Sequence, residues 1–129
     1  MNRPFDLFLF SINARQIREA VTAGGAGVVV DWEHAGKANR QRHADTEINM
    51  HTVEHLRFAR ASTHARILCR INPVGATTER EIEDAIDAGA DEVLIPMVRS
   101  VNEVSAALVI ARGRCGVGIL VETVSAVAC

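Results

Sequence analysis

The chain is poor in cysteine, in long apolar runs and in surplus charge, and each shortage removes a class of protein. Only three cysteines, Cys69, Cys115 and Cys129, occur among 129 residues. An odd set without metal-like spacing argues for reduced thiols, and so for the cytoplasm, rather than for disulfides or a cysteine zinc site. No apolar run approaches the roughly 20 residues that span a bilayer. The N-terminal MNRPFDLFLFSIN has an acidic residue within its apolar stretch and no cleavage pattern, unlike a secretory signal. A net charge of −2 and a pI near 6.2 leave no footprint for nucleic acid or an anionic membrane. Lys37, Arg40 and Arg42 do cluster, but Asp45 and Glu47 follow at once. No phosphate-binding loop follows the first strand candidate. Gly113, Gly116 and Gly118 precede a strand rather than follow one, so they read as a turn and not as a dinucleotide loop. No Ser-His-Asp or Cys-His arrangement can be argued from spacing.

What is present is an alternation of strands and helices. With 48% apolar and 23% charged residues, the chain fits one soluble α/β domain over residues 1–129. Strands are expected at Asp6–Ile12, Gly27–Asp31, Ile67–Ile71, Glu92–Met97 and Val117–Glu122. Their unbroken Val/Ile/Leu runs indicate parallel strands buried on both faces. Helix starts are marked by Asn13 with Gln16, Thr78 with Glu81 and Ser100 with Glu103, each spaced as a capping box. A weaker helix is expected from Thr52 to about Ala61. An echo, AVTAG before VVVD and AIDAGA before VLIP, reads twice as a helix ending at glycine before a buried strand. The polar stretch from Ala35 to His51 is too long for an ordinary βα loop. It reads either as a lid or as a surface excursion.

Charged groups stand at the ends of three of these apolar runs: Asp31 and His34 in GVVVDWEH, Arg70 in RILCRIN, Glu122 in VGILVET. A buried charge costs several kcal/mol unless it is paired or bound. Three strands placing such groups at their C-terminal ends therefore point to one shared site, where parallel barrels carry their chemistry. Internal pairing of Arg70 with Asp31 or Glu122 is the structural alternative. Two weaker candidates are also present. His51 and His55 are four residues apart, but Thr52 between them looks like an N-cap, so the two are not expected to share a helix face or hold zinc. Trp32 walls a pocket or fills space.

The segments Val28-Val-Val-Asp31-Trp32-Glu33-His34-Ala35, Leu68-Cys-Arg70-Ile-Asn72-Pro73, Val93-Leu-Ile-Pro96-Met97-Val98 and Leu120-Val-Glu122-Thr123 lie in order. Here the chain resembles the HpcH/HpaI aldolase and citrate lyase β-subunit family over its whole length. The resemblance implies a TIM (β/α)8 barrel enzyme that makes or breaks carbon–carbon bonds next to an enolate with the help of Mg²⁺ or Mn²⁺. It implies Arg70 as the cation on the keto oxygen and carboxylate of a keto acid substrate, and His34 as general base. Asp31 would fix the His34 tautomer, Glu122 would bind metal, and Glu33 and Trp32 would support Arg70 or the substrate. The Glu33-His34 pair looks more like the aldolase branch, which cleaves 2-keto-4-hydroxy acids to pyruvate and an aldehyde.

Five strands amount to the front five-eighths of such a barrel, and the family's second metal carboxylate belongs to a sixth strand. The chain alone is therefore expected to bind metal weakly and turn over slowly or not at all. Exposed edges imply a homo-oligomer or pairing with the missing barrel portion. Three alternatives stand beside this reading: an acyl-CoA lyase of the citrate lyase type, a non-catalytic half-barrel that self-associates, and a small-ligand binder on an open five-stranded doubly wound sheet.

Overall fold

Five parallel strands hydrogen-bond in the order in which they occur in the chain. They are β1 (Phe8–Phe10), β2 (Gly27–Asp31), β3 (Arg66–Arg70), β4 (Glu92–Ile95) and β5 (Gly116–Ile119). The structure, a computed structural model, describes residues 5–34 and 51–129. The stretch from Ala35 to His51, read as a lid or a surface excursion, lies outside the described residues except for His51. Helices α1 (Ala14–Thr22), α2 (Val53–Ser62), α3 (Thr78–Ala88), α4 (Val101–Ala111) and α5 (Val124–Ala128) follow the strands.

An unreversed strand order decides between the two expected architectures. Right-handed crossovers between successive neighbours place every helix on the same side of the sheet. Successive helices accordingly touch, α1 with α2, α2 with α3 and α3 with α4. A doubly wound sheet reverses its order and splits its helices between two faces. That alternative is set aside; the fold is part of a (β/α) barrel. Val28, Val30, Ile67, Cys69, Val93 and Ile95 pack on the helical side with Ile17, Leu56, Ile82 and Ala107. Their alternating neighbours face the barrel interior. Among the described residues no helix is long and apolar enough to cross a membrane.

The interior face is charged from its base. Arg66 lies 3.1 Å from Glu92 and 3.6 Å from Asp6, with its guanidinium 5.2 Å from the centre of the Phe8 ring. Glu92 lies across β5, where a Cβ on Gly118 would collide with its carboxylate and one on Gly116 would stand 3.2 Å from it. Gly116 and Gly118 thus belong to the strand and not to a turn. They are small because a neighbouring carboxylate occupies the space above them. Gly113, with φ +71°, does sit in the turn.

All three expected capping boxes depart from expectation; on α4 Ser100 accepts the Glu103 N–H, but the Glu103 carboxylate accepts from Arg99 N–H rather than from Ser100. Asn13 caps α1 by accepting from Gln16 N–H, but the Gln16 side chain accepts from Ser11, whose hydroxyl takes the Asn13 N–H. Helix α3 begins one residue early, with Thr77 as its N-cap; the Thr77 hydroxyl accepts no backbone N–H and donates to Glu81 at 2.8 Å. Glu81 is drawn instead to the loop after β3. Thr52 and His55 form a complete box on α2.

Arg60 ties the base of three elements together. Its guanidinium donates to the carbonyls of Thr63 (2.7 Å), Ala65 (2.8 Å) and Gly89 (3.3 Å), and to Asp91 at 2.8 Å. Gly89 has φ +103°, and a Cβ there would stand 2.6 Å from the Arg60 side chain. Arg60→Ala should lower stability by about 2 kcal/mol, since several charge-assisted bonds vanish while the carbonyls regain some water. Arg60→Lys should recover little of it, because one ammonium cannot span this fork of acceptors. Urea unfolding measures both, and equal stability of the lysine variant and the parent would refute the role.

Candidate functional site

The C-terminal strand ends bring Asp31 and Arg70 together first. They are directly opposed in register, and Trp32 N–H extends the ladder by donating to the Arg70 carbonyl at 2.8 Å. Asp31 is fully buried and takes Arg70 side-on, with Nε at 3.0 Å and Nη2 at 2.7 Å. It also accepts the Glu33 N–H at 3.1 Å. The Arg70 side chain keeps 18% of its surface exposed and lies 5.1 Å from the centre of the Phe10 ring. The Asp31 hydrogen bonds, with the charges of Asp31, Glu33 and Glu122, raise the Arg70 pKa against the opposing effect of burial. Side-on pairing commits Nε and Nη2 to Asp31, and Nη1 is the nitrogen of the fork that Asp31 does not use.

Glu122 stands three residues beyond β5, exposed, and accepts the Met97 N–H at 2.9 Å. Met97 follows β4 at φ +52°, a left-handed conformation disfavoured for a side chain of this size. Thr123 holds the next position by capping α5 and donating to the Val98 carbonyl. The ends of β4 and β5 are therefore locked to one another, with the carboxylate electrostatically coupled to Arg70.

His34 occupies a different part of the rim. Its N–H donates to Asn72 Oδ1 at 3.0 Å, and Asn72 is held by Glu81, which accepts from its Nδ2 (2.7 Å) and N–H (3.1 Å). The ring Nδ1 lies 2.8 Å from the Trp32 carbonyl. A carbonyl only accepts, so Nδ1 carries the proton and Nε2 is left as the basic nitrogen. The tautomer role expected of Asp31 is thus filled by a backbone carbonyl, since the Asp31 carboxylate is engaged by Arg70. His34 borders three cavities, and none of them is lined by Arg70 or Glu122. The guanidinium and the acid share one neighbourhood, whereas the imidazole stands at its flank.

Thr52 is the N-cap of α2, as expected, so His51 and His55 share no helix face. Their rings meet edge-to-face with centroids 5.9 Å apart, because His51 folds back from before the N-cap. Each Nδ1 accepts a backbone N–H, from Asp31 at 2.9 Å and from Thr52 at 3.0 Å. Among the described residues no group of three His, Cys, Asp or Glu side chains is placed to hold a metal ion. Glu122 contributes one carboxylate, which by itself does not make a Mg²⁺ site. Glu33 is buried and Trp32 nearly so. Glu81, Asn72 and the Trp32 carbonyl were not legible as site residues. The Asn72-Pro73 step at a strand end was the one available signal.

A parallel barrel segment with an arginine–carboxylate pair at its C-terminal rim defines an α/β-barrel protein. The family profile of HpcH/HpaI aldolase/citrate lyase matches residues 5–128, and the chain belongs to that family. Its structure is similar to that of an HpcH/HpaI aldolase from Desulfitobacterium hafniense DCB-2 (20% identity, TM-score 0.60), covering 80% of this chain and 35% of that one. It is also similar to a mandelate oxidase variant with (S)-mandelic acid (18% identity, TM-score 0.65), covering 88% of this chain and 41% of that one. Both likenesses concern the fold. No curated protein matches the chain.

Proposed function

We propose that this chain carries the keto acid-binding part of a carbon–carbon lyase that cleaves 2-keto-4-hydroxy acids to pyruvate and an aldehyde. The observation that supports it is Arg70, fixed side-on by buried Asp31 at the C-terminal end of β3 with its Nη1 edge not used by that pair, in a chain of the aldolase/citrate lyase family. That edge matches the carboxylate and keto oxygen of an α-keto acid, and it stabilises the negative charge that grows on the keto oxygen. His34 Nε2 takes the proton of the 4-hydroxyl. The C3–C4 bond breaks, the aldehyde departs, and the enolate collects a proton at C3 to give pyruvate. His34 beside Glu33 favours this reading over acyl-CoA cleavage.

Mg²⁺ or Mn²⁺ is the cofactor this reading calls for, and Glu122 offers it a single carboxylate. A further ligand has to come from outside the described residues, so no step is assigned to the metal. The same incompleteness marks the edges of the sheet. Phe5 and Leu7 beside β1, and Val121, Val124 and Val127 beyond β5, are exposed. We propose that a second copy or further βα units cover them.

The test has two readouts on the full chain. Calorimetry should detect pyruvate binding, whereas Mg²⁺-dependent pyruvate release from a 4-hydroxy-2-keto acid should be slow or undetectable. Absence of pyruvate binding would sink the site. Rapid metal-dependent release would show that the metal site is already complete.

A further inference from the structure

The Glu81 carboxylate, on the first turn of α3, is committed to three donors. Oε1 accepts the Asn72 N–H at 3.1 Å and its Nδ2 at 2.7 Å, and Oε2 accepts the Thr77 hydroxyl at 2.8 Å. Asn72 lies just beyond β3 and is only 7% exposed. Its Oδ1 in turn accepts the backbone N–H of His34 at 3.0 Å. Glu81, Asn72 and His34 thus tie α3 to the end of β3, and the end of β3 to the end of β2. The two ends of the Asn72 amide are not interchangeable here. A carboxylate only accepts and a backbone N–H only donates, so one orientation satisfies both, with Nδ2 toward Glu81 and Oδ1 toward His34.

We propose that Glu81 is a positioning residue for His34: through the Asn72 amide it fixes the His34 backbone, and with it which imidazole nitrogen is basic. The inference rests on the reading of His34 as the general base. The His34 ring is tied to its own chain, with Nδ1 2.8 Å from the Trp32 carbonyl two residues back. A side-chain bond to so near a backbone group exists only at certain backbone angles, so it depends on whatever holds those angles. At Trp32 the strand ladder holds them, since its N–H donates to the Arg70 carbonyl. At His34 that part falls to Asn72 Oδ1, and the residue is exposed, so packing contributes little. Without the Glu81 acceptor, the turned amide is no longer excluded, and Nδ2 then opposes the His34 N–H. Two donors facing one another drive the His34 backbone away, and Nδ1 loses the Trp32 carbonyl. The ring then samples both tautomers, and the share with Nε2 free to take a proton falls.

Histidine tautomers, read by NMR on the isotope-labelled chain above the histidine titration range, test this without turnover. In the parent, His34 should carry its proton on Nδ1. His51 and His55 should show the opposite tautomer, since each accepts a backbone N–H through Nδ1. Their signals also report that the start of α2 is intact. Glu81→Ala should lower the ratio of Nδ1–H to Nε2–H at His34 about tenfold, the worth of one hydrogen bond, with His51 and His55 unmoved. Alanine suits a helix position, so α3 is kept. Glu81→Gln should restore the parental tautomer, because its amide oxygen accepts both Asn72 hydrogens and its NH₂ donates to the Thr77 hydroxyl oxygen. An unmoved His34 in Glu81→Ala, a shift of all three histidines together, or a Glu81→Gln variant no better than alanine would overturn the proposal. Pyruvate calorimetry on the parent separates the two readings. Bound pyruvate with His34 unmoved in Glu81→Ala sinks the positioning role alone, and the expected tautomers without pyruvate binding sink the aldol reading alone.

Discussion

Arg70→Lys should slow exchange of the pyruvate methyl protons with solvent about 10²- to 10³-fold, the usual loss when a preorganised oxyanion partner is removed. The reason is geometric. Arg70 performs two tasks with two edges of one plane: Nε and Nη2 hold Asp31, and the Nη1 edge that the pair does not use serves a ligand. A lysine ammonium has one centre. It either satisfies buried Asp31 or reaches toward the keto acid, and the desolvation of Asp31 decides in favour of the first. Stacking on Phe10 at 5.1 Å is lost as well, a contribution of about 0.5–1 kcal/mol. The variant should stay folded, since Asp31 keeps a cation. Deuterium exchange followed by proton NMR measures the effect, and exchange as fast as in the parent would remove Arg70 from the chemistry.

How far the sequence disclosed this site depends on which interactions are local. Asp31 and Arg70 were legible because an ionic group within a run of Val, Ile and Leu has few reasons to be there. Their pairing was one of two open choices, and the one-to-one register of β2 and β3 settles it. Glu81 was misread because its spacing from Thr78 satisfies a capping rule. A long-range acceptor role for Asn72 overrides that rule, and nothing within four residues of Glu81 reveals it. The His51 and His55 rings meet through a backfolded residue outside the helix, where helical periodicity has no say. Gly116 and Gly118 looked like a turn because their purpose lies on the neighbouring strand, in the Glu92 side chain. Strand existence follows from apolar runs. Side-chain partners across strands do not.

Asp31→Asn should destabilise the fold by about 3–5 kcal/mol, as expected when one member of a buried ion pair is removed. Against a total stability of roughly 5–15 kcal/mol, that is a large share. Asp31 has no exposed surface, while Arg70 keeps 18% of its side chain in solvent. The carboxylate therefore depends almost wholly on protein partners. Asparagine keeps an oxygen for the Glu33 N–H but turns an amide NH₂ toward a guanidinium that can only donate. Arg70 is then left charged, half-buried and facing like polarity. Removing the other charge should relieve this: Asp31→Asn combined with Arg70→Met should be more stable than Asp31→Asn alone, because the uncompensated cation is gone and Met fills the space beside Phe10. Urea midpoints of the parent, the two single variants and the double variant close the cycle. If the double variant is as unstable as the sum of the singles, Asp31 and Arg70 are not energetically coupled, and the side-on pair cannot be what holds the arginine in place.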